Sequence, residues 1–446
     1  EFSATQIGQL TTDQLNGLST TNLAALTSSQ VSGLTATQVS GLSTAQLNAL
    51  STADINELSR TQVGQLSTDQ VSALSTSNLS ALTSSQVGGL TATQVKSLTT
   101  AQLNALSTAD INEFSATQIG QLTTSQVSAI STSNLSALTS SQVAGLTATQ
   151  VSSLTTAQLN ALSTADINEL SRTQVGQLST DQVSALSTSN LSALTSSQIG
   201  GLTATQVGSL TTAQLNALST ADINEFSATQ IGQLTTSQIS ALSTSNLSAL
   251  TSSQVGGLTG TQVGNLTTSQ LNALSTADIN ELSRTQVGQL TTSQLNALST
   301  TNLSVLTSNQ VAGLTATQVG GLTTSQLNAL STADINEFSR TQIGGLTTDQ
   351  LSTLSTTNLS ALTSNQWVGL STSQIQGLTT SQLNALTTAD INEFTATQIS
   401  ALTTDQISGL STAQLSSLGT VQSYAFTSAQ VQAMTTTQVN AWVTQV

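Results

Sequence analysis

The chain has 446 residues and contains no histidine, no cysteine and no proline; 6% of its residues are charged and 2% are aromatic. Each shortage removes a class of function. Without His or Cys there is no catalytic imidazole, thiolate nucleophile, His/Cys zinc site or disulfide framework. Five Lys and Arg stand against 20 Asp and Glu, a net charge of −15. That balance repels polyphosphate, whose binding draws on clustered basic side chains, so nucleic acid is not an expected partner. No apolar run approaches the ~18 residues of a membrane span, and none is expected. The chain reads as non-enzymatic and free of cofactors.

What the sequence does have is a period of eight. A large apolar residue, nearly always Leu, falls at residues 2, 10, 18 and onward to 442 without insertion or deletion, making fifty-six units. With that residue as position a, b is Ser or Thr, e is Gln, Asn or Asp, and f is Leu, Val or Ile; one unit is Leu42-Ser43-Thr44-Ala45-Gln46-Leu47-Asn48-Ala49. Gly419 and Val443 break the rule at b, and Trp367 and Ser423 break it at f. A longer period is superimposed: Ala-Asp-Ile-Asn-Glu recurs with its Asp at 54, 110, 166, 222, 278, 334 and 390, always seven octads apart. Slippage of a genetic repeat accounts for this as readily as selection does. Seven octads per superhelical turn, stacking Asp54 above Asp110, is the geometry the longer period suggests.

The octad encodes a helix start. Ser or Thr followed three residues later by Gln is the capping-box pattern, and apolar residues just before the cap and four after it are spaced as a hydrophobic staple. Ser43 with Gln46, and Ser51 with Asp54, are therefore the expected capping pairs, and Leu42, Leu47, Leu50 and Ile55 the expected core. Asn78 at e is expected to act as Gln does. A new cap arrives after eight residues, and an N-cap residue is non-helical, so each helix is confined to c through h, with a and b extended. Glycine at g or h, as in Val87-Gly88-Gly89, matches its use at helix C-termini.

One continuous helix fails because eight residues overshoot two turns by about 80° per octad, and the apolar stripe would spiral away. A β-solenoid is favoured by Thr, Val and Ile, yet a and f have opposite parity, which breaks strict alternation. Disorder leaves the unbroken register without a cause. The expected fold is all-α: a solenoid of very short capped helices, one per octad, forming a thin rod, with a β-solenoid as the alternative. Residues 1–418 form its regular part and 419–446 a divergent end.

Units such as LTTAQLNA, LTATQVSG and LSTADINE resemble the octapeptide arrays of very large bacterial surface or secreted proteins, of the kind called adhesin-like or haem-utilisation-like. The resemblance covers essentially the whole chain and implies an extracellular or cell-surface fibre, sheath or stalk. Haem finds no ligands here. The opening Glu1-Phe2-Ser3-Ala4 aligns with Glu113-Phe114-Ser115-Ala116 in mid-array, so the chain is expected to be processed or excerpted from a longer one.

Candidate sites are few. Asp54 and Glu57, three apart, share a helix face and would recruit Ca²⁺ only if further oxygens converged; the plainer reading is a cap residue beside a solvated charge that Arg60 partly offsets. Ser and Thr at b, c and d could present hydroxyl rows to ice or glycan, though b is consumed in capping. Asn78-Leu79-Ser80 is one of several glycosylation sequons. Tyr424, Phe426, Met434 and Trp442 enlarge the C-terminal side chains, forming either a terminal cap or a docking end for another subunit. Sparse charge resists lateral bundling weakly, so the expected partner is the chain itself, as filament or bundle, with a cell surface, glycan or matrix as further candidates. A structural rod would tolerate scattered surface Thr→Ser or Gln→Glu changes, whereas a lattice binder would lose activity when one Thr row is altered.

Overall fold

A computed structural model describes residues 2–444 of the chain. Among them lie fifty-five α-helices of four to eight residues and no strand, so the fold is an α-solenoid and the β alternative is removed. The helices start where the octad predicts. In Thr44–Ala49, Ser43 is the N-cap with φ −68° and ψ 157°, and Leu50 closes the helix in extended backbone with φ −63° and ψ 140°. Residues c to g or h are helical, and a and b carry the chain across to the next helix.

Helices this short are unstable alone, because the cost of nucleation is spread over too few hydrogen bonds. Tertiary burial supplies the rest. The f side chains Leu47 and Ile55 are 0% and 1% exposed, and the a side chains Leu42 and Leu50 are 3% and 2%. Full burial of one such side chain stabilises by roughly 1.5–3 kcal/mol, and each octad contributes two.

The chain falls into two compact units, Glu1–Glu225 and Phe226–Val446. Within each, a helix packs against the third helix after it, as Thr44–Ala49 does on Thr68–Ala73 in the first unit and Ser252–Gly256 on Thr276–Glu281 in the second. Side-chain hydrogen bonds between coils span 25 to 31 residues, and the most frequent span is 28. One coil is therefore three and a half octads. The seven-octad period covers two coils, which corrects the expected seven octads per turn: Asp54 and Asp110 stand two coils apart. The half-octad remainder places e of each coil over a of the coil before it.

Glycine at g and h stands at helix C-termini as expected, with Gly17, Gly88 and Gly145 as C-caps, and it also serves a second purpose. No described glycine has positive φ, so none acts as a left-handed helix terminator. Instead the backbones touch: a Cβ on Gly8 would lie 2.5 Å from the Gly33 carbonyl oxygen, and one on Gly145 would lie 2.6 Å from that of Ala116.

Leu218 is 3% exposed at position a. Leu218→Asp is expected to cost at least ~3 kcal/mol by burying an unpaired charge, read as a lower thermal midpoint; an unshifted melting curve would refute the core assignment.

Candidate functional site

The seam between coils is where the polar side chains of this chain do their chemistry. The capping pairs close as expected. The Ser43 hydroxyl accepts from the Gln46 N–H at 3.2 Å, and Gln46 Oε1 accepts from the Ser43 N–H at 3.0 Å. Ser51 and Asp54 do the same at 3.2 and 3.0 Å.

Nothing in the spacing of the octad foretells what the other end of the glutamine does. Gln46 is 5% exposed, and its Nε2 donates to the carbonyls of Leu18 at 3.0 Å and Asn16 at 3.1 Å in the preceding coil. Gln102 reaches Val71 and Leu74, both at 2.8 Å. In the second unit Gln270 reaches Ile239 at 2.9 Å and Leu242 at 2.8 Å. One amide thus caps its own helix with its oxygen and fastens the neighbouring coil with its nitrogen. The available signal was that Glu never stands at e, although a capping box accepts Glu as readily as Gln. These glutamines are buried and act as donors, so tolerance of Gln→Glu is confined to glutamines at the surface.

Asp at e cannot donate, and the seam is rebuilt around it. Asp54, 3% exposed, takes a hydrogen bond on its second oxygen from the Ser28 hydroxyl at 2.9 Å, 26 residues earlier. The same bond joins Ser84 to Asp110, Ser140 to Asp166, Ser196 to Asp222, Ser252 to Asp278 and Ser308 to Asp334. Asn at e leaves the box open, although Asp54, of the same length, closes it. Asn78 takes no hydrogen bond from the Ser75 N–H, which donates instead to Oδ1 of Asn48, 27 residues earlier, at 2.8 Å. Asn48 Nδ2 then donates to the Ala73 carbonyl at 2.6 Å. The expectation that Asn78 substitutes for Gln is corrected accordingly. Asn78 is 5% exposed with its Nδ2 turned to the Leu50 carbonyl, so the folded coil closes that sequon.

The acidic pair does not act as a pair. Asp54 is buried in the seam and Glu57 is exposed, because the coil before covers the e face and leaves h open. No ion pair joins Glu57 to Arg60 among the described residues. The Arg60 guanidinium donates to the Gly88 carbonyl of the next coil at 2.8 Å, its stem lying where a Cβ on Gly89 would come within 2.5 Å of Cγ. Arg172 repeats the bond to Gly200, and Arg284 to Ala312.

At the C-terminal end Met434 is 9% exposed. Phe426 and Trp442 meet edge to face with centroids 6.1 Å apart, and Trp442 Nε1 donates to the Ser423 carbonyl at 3.0 Å. The indole thus donates to a carbonyl at position f, the kind that glutamine amides meet elsewhere in the seam. Tyr424 is 65% exposed. Two departures at f leave buried polar atoms without a hydrogen-bond partner among the described residues, Trp367 Nε1 and Ser423 Oγ. Trp367 packs on Phe394 with centroids 5.2 Å apart.

A coiled tandem of capped helices, whose polar side chains bind the coil before and the coil after, is an α-solenoid repeat protein. The ALTTAQ repeat matches residues 7–44, 41–76, 67–100, 97–132, 154–188, 180–212, 209–244, 239–268, 292–324, 322–356 and 384–420. Those segments cover well over half of the chain, which belongs to the ALTTAQ-repeat family. The repeat's name spells positions h to e of the octad, and Ala401-Leu402-Thr403-Thr404-Asp405-Gln406 departs from it only at d. No curated protein matches the chain. Among the described residues no helix is long and apolar enough to cross a membrane.

Two substitutions test the seam. Gln94 donates to the carbonyls of Val63, Gly64 and Leu66, so Gln94→Glu is expected to cost more than ~2 kcal/mol by setting a carboxylate against acceptors. Lowering the pH restores part of the loss, since a protonated carboxyl donates again. Gln14, exposed in the first coil, is the control, with Gln14→Glu staying within ~0.5 kcal/mol. Equal denaturation midpoints for the two variants would refute the seam role. Ser423→Val, which installs the residue usual at f and removes an unpaired hydroxyl, is expected to raise stability by ~1 kcal/mol or more, measured by thermal unfolding.

Proposed function

We propose that this chain is a non-enzymatic structural protein, an extracellular or cell-surface fibre, sheath or stalk that associates with itself. The observation that carries the reading is the seam. The distinctive polar side chains, Gln46, Asp54, Asn48 and Arg60, are engaged in fastening one coil to the next, so the sequence is devoted to extending a coil. Repeat proteins gain stability by such nearest-neighbour interfaces, and their length is set by unit number. The extracellular setting rests on the likeness of the octads to bacterial surface arrays, with which the absence of cysteine is compatible.

Self-association is supported by the likeness of one coil face to the next, as the coil of Leu10, Leu18 and Leu26 displays. Leu10, Leu18 and Leu26 are half-buried there, and with Phe2, 62% exposed, they line an open apolar groove of about 440 Å³ beside the exposed Gln14 and Asn22. This is the face that each later coil turns to its neighbour, and a coil of like sequence completes it whichever polypeptide supplies it. A second reading, adhesion to ice or glycan, is favoured by the exposed hydroxyls at c, such as Thr44, Thr52, Thr68 and Thr76.

Sedimentation velocity of the 446-residue chain, with negative-stain microscopy of the same sample, is expected to show concentration-dependent assembly that strengthens with salt. Monodisperse monomers at high concentration across salt and pH would sink the structural reading. Replacing a row of c threonines with alanine separates the two: assembly survives in the first reading, and surface binding is lost in the second.

A further inference from the structure

In a chain of near-identical octads the core at a and f and the box at b and e do not say which octad lies over which. The glutamine bond requires only that e stand over a of the preceding coil. Two and a half, three and a half or four and a half octads per coil all satisfy that condition, so a coil slipped by one octad keeps its caps and its apolar seam.

The exceptional residues are not interchangeable in this way. Asp54 finds a hydroxyl at Ser28; shortening the coil by one octad would bring Ala36 to that place, which has none. Ser75 finds the amide of Asn48; lengthening the coil by one octad would bring Ser40, whose side chain is too short. Arg60 passes over Gly89, where even a Cβ would stand 2.5 Å from its Cγ; either slip would put Ala81 or Ser97 there. Between them the three pairings oppose slippage in both directions. Asp is kept at these positions although it forfeits the amide bond that Gln makes at the ordinary e sites. A polar residue that costs stability and specifies register is known from coiled coils, where one buried Asn does the same.

We propose that the Asp–Ser, Asn–Ser and Arg–Gly pairings are register keys that hold each coil at three and a half octads. The Asp and Asn keys recur every seven octads, and Arg stands at the same phase in some of those sets, because octads and coils come back into phase only after that interval. They act across coils, so the hydrogen bonds of each key join different octads, 26 to 28 residues apart.

The test moves a key and then removes the set. Gln62→Asp, whose partner position is Ala36, is expected to lower the urea midpoint, and adding Ala36→Ser to recover at least half of the fall. The chain has no native cysteine, so register is read by paired substitutions under mild oxidation. Ser97 Oγ lies 3.3 Å from the Thr68 carbonyl, and Thr68→Cys with Ser97→Cys is expected to cross-link in the parent. Thr68→Cys with Ala105→Cys, one octad further, is not. With Asp54→Gln, Asp110→Gln, Asn48→Ser, Asn104→Ser and Arg60→Ala in place, the slipped pair is expected to cross-link as well. Cross-linking only between positions 68 and 97 in that background would show that core packing alone sets the register and would overturn the proposal. If that background loses its helical spectrum, the first experiment decides, and failure of Ala36→Ser to rescue Gln62→Asp overturns it.

Discussion

The buried glutamine at e is the constraint on which the rest of the structure depends. Its oxygen satisfies the N-cap backbone of its own helix and its nitrogen satisfies carbonyls in the coil before, as Gln102 does toward Thr99 on one side and toward Val71 and Leu74 on the other. Helices of five or six residues leave most of their backbone groups without an intrahelical partner. A buried carbonyl left unpaired would cost about 1–3 kcal/mol, and this fold has such termini at every octad. One side chain with a donor at one end and an acceptor at the other settles both ends of the problem at once. Neither Glu nor Lys can do this, which is why a chain with so little charge can still be so polar in its interior.

The same constraint accounts for the longer period. Since e must stand over a, each coil closes on a half-octad, and like octads return to like surroundings only after two coils. Any residue chosen for its partner in the next coil must then repeat every seven octads. Ser28 with Asp54 and Ser84 with Asp110 follow this rule, as do Gly64 against Gly89 and Gly120 against Gly145. A genetic duplication of arbitrary length would put the wrong partners together; a duplication of seven octads does not.

The local half of this architecture was legible in the sequence, and the long-range half was not. Caps, helix bounds, and the burial of Leu42, Leu47, Leu50 and Ile55 follow from spacing within one octad, because capping and stapling are interactions between residues three to five apart. The number of octads per coil depends on contacts 25 to 31 residues apart, and an eight-residue period is silent about those. The seven-octad period held the answer in an ambiguous form, since one turn of seven octads and two turns of three and a half predict the same repeat. Glycine was half legible for a related reason: Gly8 ends its helix along the chain, and its approach to Gly33 lies across it. Asn78 misled because its amide turns to the Leu50 carbonyl while Asn48, from the preceding coil, takes the Ser75 N–H. The pairs at the C-terminal end, Phe426 with Trp442 and the indole with the Ser423 carbonyl, join residues closer in sequence than the 25 to 31 that separate partners across the seam elsewhere.

The seam also gives the coil a direction. Every glutamine nitrogen described above points toward the preceding coil and every carbonyl it meets faces the following one, so the two faces of a coil differ in chemistry. The face toward the N-terminus offers amide donors among half-buried leucines, as Gln14 stands beside Leu10 and Leu18 in the first coil. The opposite face offers carbonyl acceptors, and near the C-terminus the indole of Trp442 supplies a donor to one of them. Donor faces do not complement donor faces, because apposed amide N–H groups would remain buried without acceptors. A second coil of this type can therefore seal the donor face only with its acceptor face. Extension of the solenoid by like units is head to tail by chemistry, before any question of shape arises, and the geometry that repeats within the chain is the geometry by which it would be continued.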